Sequence, residues 1–131
     1  MTKKPDRVRR LVVDAETAWI WSVRHGHTRV GDRVGDCRTT LGLRREGTQQ
    51  RLAIVFREGP GRVVSGGYWH FGAVASGDSW LNLHQPGAAR RLLDAAAARG
   101  LLPDRPGTTE VDGWSLLGAA AASAQEPGDA A

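Results

Sequence analysis

The sequence predicts an α+β fold: a twisted antiparallel sheet of five to six strands with one main helix, about residues 86–99, packed on one face. Three observations carry this. From Val8 to Arg57, apolar and polar residues alternate in runs of strand length. Short polar turns separate several of these runs, at Asp14-Ala15-Glu16, Glu46-Gly47-Thr48 and Glu58-Gly59-Pro60-Gly61, and connections that short favour antiparallel pairing over crossovers. Only from Ala89 through Leu92, Leu93 and Ala96 does the apolar period lengthen to that of a helix.

The 131 residues are enough for one domain, placed at 8–122 between a flexible N-terminus, 1–7, and a disordered tail, 123–131. A charged fraction of 24% with 40% apolar residues is that of a soluble globular protein. No apolar run approaches the ~20 residues of a membrane helix, so no membrane partner is expected. The basic start, MTKKPDRVRR, runs into LVVDAETAW, whose carboxylates interrupt what a signal peptide needs to be apolar. The single Cys37 excludes an internal disulfide and agrees with a reducing, cytoplasmic location. Abundant Ala, Gly and Arg point to a GC-rich bacterial genome.

Taken in order, Val8–Val13 and Thr17–His25 read as strands. In the second, Trp19, Trp21, Val23 and His25 share one face, while Ala18, Ile20, Ser22 and Arg24 share the other. Gly26–Asp36, dense in Gly, Asp and Arg, reads as a loop. Cys37–Arg45 alternates cleanly, with Thr39, Leu41 and Leu43 beside Cys37 and with Arg38, Thr40, Gly42 and Arg44 opposite. Arg51–Arg57 sets Leu52, Ile54 and Phe56 against Ala53 and Val55. Arg62–Ala75 reads as a strand interrupted at Ser65-Gly66-Gly67, and Trp80–His84 as a short strand before the helix. Pro86 suits a first helical turn, and Gly100 with Pro103 ends the helix. Thr108–Val111 reads as strand, and 114–122 is open between strand and helix.

Chemistry is sparse. His25-x-His27 is the one metal-like spacing, with Cys37, His70 and His84 as further ligands, but no Cys-x-x-Cys or His-Glu-x-x-His pattern supports it and no metal is expected. Cys37 with a histidine base would make a nucleophile, yet its alternation with Leu41 and Leu43 reads as a small core residue. Gly59-Pro60-Gly61-Arg62 has a backbone open to an anion, but no helix follows and it reads as a turn. No cofactor is expected.

Charge is uneven: residues 1–62 carry 14 Lys+Arg against 7 Asp+Glu, and residues 63–131 carry 4 against 7. Arg24, Arg38 and Arg44 on a strand face, with Arg29 and Arg33 nearby, would suit a polyanion. Five tryptophans exceed what one Leu/Ala helix covers, so Trp21 and Trp80 are assigned to the core and Trp69 to a contact surface with Tyr68 and His70. The leading expectation is a small non-catalytic domain that binds a protein partner or its own copy. The alternative is a nucleic-acid-binding domain using Arg24, Arg38 and Arg44. A small enzyme with a His/Cys/Tyr site comes third.

Overall fold

Two 13-residue strands, β2 (Ala18–Val30) and β3 (Arg33–Arg45), form the longest antiparallel pair of the fold. The computed structural model describes residues 8–31, 33–64, 73–77 and 79–124. β1 (Arg9–Val12) pairs with β2, and β4 (Gln50–Arg57) pairs with β3, both antiparallel. The short polar connections act as expected. At the first, the Glu16 backbone N–H donates to Asp14 Oδ1 at 2.8 Å. At the β3–β4 turn Gly47 takes a φ of 85°, which a side chain would strain.

Within the stretch expected as a loop, Gly26–Asp36, residues 26–30 and 33–36 instead belong to β2 and β3 and carry the far end of their ladder. Gly26 faces Arg38, but Thr28 faces Gly35, so two steps along β2 are matched by three along β3. One extra residue is absorbed as a bulge, after which the pairing resumes to Val30 opposite Arg33. Gly26 and Gly35 weaken strand propensity without forbidding it, and the pairing on both sides of the bulge overrides them.

Beyond β4 the chain builds a second sheet. β5 (Arg62–Val64), β6 (Ala73–Ser76) and β7 (Ser79–Asn82) pair antiparallel in that order. Thus the two ends of the Arg62–Ala75 run pair with each other as β5 and β6. α1 (Pro86–Ala98) follows, with Pro86 at its start. It closes in a Schellman arrangement: Leu101 N–H donates to the Ala96 carbonyl and Gly100 N–H to that of Ala97, with Gly100 at a φ of 70°. The chain then returns as β8 (Gly107–Asp112) along β4, parallel to it, giving the order β1-β2-β3-β4-β8. This pairing departs from the antiparallel rule because the β4–β8 connection, unlike the others, is a long crossover through β5–β7 and α1.

The segment left open, 114–122, is helical: α2 spans Trp114–Ala124. Asp112 starts it, its Oδ1 accepting the Trp114 N–H at 3.1 Å while Ser115 Oγ donates to its carbonyl at 2.7 Å. Leu116, Leu117, Ala120 and Ala121 then fall on one buried side. The core is one cluster between the inner face of the five-stranded sheet, with Trp19, Trp21, Leu41, Leu43, Ile54 and Phe56, and a layer made by α1, α2 and the small sheet. The fold is therefore α+β with the main helix packed on a sheet face, as the sequence predicts.

Trp80 is a correction. It is 57% exposed, because β7 turns Leu81 inward and alternation turns its neighbour out. Among the described residues the tryptophans buried in the core are Trp19 and Trp21, with the Arg9 guanidinium 4.9 Å from the Trp21 ring centroid. No helix among the described residues is long and apolar enough to cross a membrane.

Candidate functional site

Alternation gives the five-stranded sheet a second, outer face opposite the core. Three register rows define it. Ile20, Arg44, Arg51 and Thr108 stand side by side across β2, β3, β4 and β8. Two residues further along lie Ser22, Gly42, Ala53 and Glu110, and beyond them Arg24, Thr40, Val55 and Asp112. Arg10, beside Ile20, and the facing pair Arg38 and Arg57 extend the surface at opposite corners. All these side chains are exposed or half-buried except Val55.

The structure thus brings Arg24, Arg38 and Arg44, the three arginines singled out in the sequence, onto one face and adds Arg10, Arg51 and Arg57 to it. The added three sit at or near strand ends, where a single strand's alternation is least secure. Their parity was readable, but their adjacency depends on which strands pair.

Carboxylates hold Arg10 and Arg57, at the two corners. Arg10 donates to both oxygens of Glu46, Nε to Oε2 at 2.8 Å and Nη2 to Oε1 at 2.9 Å. That fork holds the Glu46 carboxyl below the usual glutamate range, and the Arg44 charge acts in the same direction. Arg57 Nη2 lies 3.3 Å from Glu110 Oε1. Two others are steadied by uncharged oxygens: Arg44 Nη1 donates to the Thr48 carbonyl at 3.1 Å and Arg51 Nη2 to Gln49 Oε1 at 3.3 Å. Each guanidinium has five N–H donors, so one such bond orients the fork and leaves donors for a ligand. The Arg38 guanidinium lies along the Gly26 backbone, where a Cβ would come within 3.2 Å of it.

Between the rows the surface sinks into a concavity of about 310 Å³. It is lined by Ser22, Gly42 and Ala53 of the middle row, by Ile20, Arg44, Arg51 and Thr108 of the row on one side, and by Arg24 and Thr40 of the row on the other.

The other expected sites fare differently. Tyr68, Trp69 and His70 lie outside the described residues. β2 continues through both His25 and His27, and both are exposed, but the bulge falls beside them. His25 Nδ1 is 2.9 Å from Thr39 Oγ1, its cross-strand neighbour. Among the described residues no three His, Cys, Asp or Glu side chains gather where they would hold a metal ion. Cys37 is half-buried, and its backbone N–H donates to Glu58 Oε1 at 3.3 Å. The Gly59–Arg62 segment is a turn bridged by two backbone hydrogen bonds between those residues. No protein-family model, curated protein or solved structure matches the chain.

Proposed function

We propose that this protein is a non-catalytic binding domain that takes single-stranded nucleic acid on the outer face of its larger sheet. The observation that carries the reading is the convergence of Arg10, Arg24, Arg38, Arg44, Arg51 and Arg57 on that one face. Among the described residues, Glu110 and Asp112 share the face with them and Glu46 pairs with Arg10. Arginine suits such a partner better than lysine would, because its planar fork grips phosphate oxygens in pairs and stacks on exposed bases. A broad sheet accepts an extended strand, whereas reading a duplex groove calls for a projecting helix or ribbon.

Fluorescence anisotropy with a labelled single strand of about 20 nucleotides tests this. Micromolar or tighter binding is expected at about 150 mM salt, weakening steeply as salt rises. The triple variant Arg24→Gln/Arg44→Gln/Arg51→Gln should bind at least tenfold more weakly, its salt slope flattened by about 0.7 for each phosphate it no longer neutralises. Absent binding, or binding indifferent to these changes, would sink the proposal.

Self-association is a second reading, favoured by a different observation. Val63, Ala75 and Trp80 form one register row across the small sheet, with Val63 64% and Trp80 57% exposed. Two exposed apolar side chains on one face, with only an alanine between them, are material for a contact surface. Sedimentation equilibrium should then show a concentration-dependent dimer that Trp80→Ser abolishes. A monomer at all concentrations rules it out.

A further inference from the structure

Gly42 lies inside β3, a central strand, where glycine weakens the sheet and packs nothing. The fold gives no reason for it. Gly42 is not among the glycines with a positive φ, and a Cβ built on it would meet nothing closer than the Ser22 carbonyl oxygen and Oγ, both at 3.9 Å. A Cβ would therefore meet only ordinary van der Waals contacts here. What a side chain here would do is project into the concavity, between Ser22 on one neighbouring strand and Ala53 on the other. Three small residues abreast, on three adjacent strands, keep that space open.

The borders of the space are as informative as its floor. The row bearing Arg44 and Arg51 and the row bearing Arg24 each lie two residues from the small row. At about 3.3 Å per residue, the two borders stand about 13 Å apart. A weakly polar middle row with Ser22 is thus bordered by the row of Arg44 and Arg51 on one side and that of Arg24 on the other. The volume, about 310 Å³, is that of a site for one small ring-bearing unit.

We infer that this hollow seats one unstacked nucleoside unit of the bound strand. The base lies over Ser22, Gly42 and Ala53, and the phosphates on its two sides are taken by Arg24 at one border and by Arg44 and Arg51 at the other. This rests on the reading of the face as a nucleic-acid surface and adds to it that binding requires a base, not charge alone. Guanidinium planes at the borders offer stacking as well as charge, which makes up for the lack of aromatic rings among the described residues of this face.

The test separates the two claims. Gly42→Leu and, from the neighbouring strand, Ala53→Leu each fill the hollow without changing charge, and thermal melts identify any variant that fails to fold. Two probes are used: the labelled single strand and, as a base-free competitor, inorganic polyphosphate of similar charge. Both filled variants should bind the strand at least tenfold more weakly with an unchanged salt slope, and bind polyphosphate as the wild type does. The triple arginine variant should lose both. If a folded filled variant binds the strand like the wild type, or if the wild type takes polyphosphate as tightly as the strand, the nucleoside seat is wrong while the arginine surface stands. If the wild type binds neither probe, the surface reading fails and the seat with it.

Discussion

Gly113 illustrates how much one missing methyl group decides. A Cβ at this position would lie 2.5 Å from two carbon atoms of the Phe56 ring, which is fully buried and meets the Trp114 ring edge-on at a centroid distance of 5.1 Å. The same turn is tied to β4 by the Gly113 N–H, which donates to the Val55 carbonyl at 2.7 Å, and by Trp114 Nε1, which donates to that of Arg57 at 2.8 Å. Neither the ring nor the backbone has room to yield, so Gly113→Ala should destabilise by about 1–3 kcal/mol, the usual cost of overpacking. Gly118 makes the control: it lies on the exposed side of α2 with nothing within 4 Å of a Cβ. Gly118→Ala should stabilise by about 0.5–1 kcal/mol through helix propensity. Denaturant midpoints moving in opposite directions would verify the pair, and a neutral Gly113→Ala would show that α2 docks differently.

At the scale of elements, what could be read from the chain depended on whether the signal was local. α1 was legible almost to the residue, because Pro86 and the Leu92–Leu93–Ala96 stripe lie within the element they define and Gly100 lies just past its end. The inner and outer faces of β3 were legible too, and with them Arg38 and Arg44 of the candidate surface. The end of the β2–β3 ladder was not, since Gly26, Gly31 and Gly35 mark a break by composition while the pairing that overrides them is a property of two strands together. Trp80 turns outward, against the expectation from its size, for a related reason. In the run Trp80-Leu81-Asn82-Leu83 the aromatic ring is the largest apolar group, but two leucines outvote one tryptophan in choosing the buried side. The clustering of Arg51 with Arg44 and Arg24 required knowing that β4 lies beside β3 in a particular register.

For the molecule as a whole, the halves of the chain divide the work. The antiparallel meander of β1–β4 supplies the charged outer face and one side of the core. The later segments supply the cover for that core, together with one strand that crosses to the far edge of the sheet. That strand, β8, joins β4 last in sequence and in the less regular, parallel sense. β4 itself carries Leu52-Ala53-Ile54-Val55-Phe56, five apolar residues without a charge or proline. Such a run with an open edge is a template for pairing with other chains. β8 covers it with Gly-Thr-Thr-Glu-Val-Asp, a short strand that presents exposed threonines and two carboxylates at the sheet's new margin. The parallel strand therefore acts as a guard against aggregation as well as a structural member. Ending the chain after residue 106 should expose both the β4 edge and the core surface that α2 covers, giving a product that binds thioflavin T and sediments as large assemblies. The milder change Glu110→Val should leave the native fold intact and shorten the lag before fibrils form on gentle heating. An unchanged lag would mean that the edge is guarded by something other than the charge β8 brings to it.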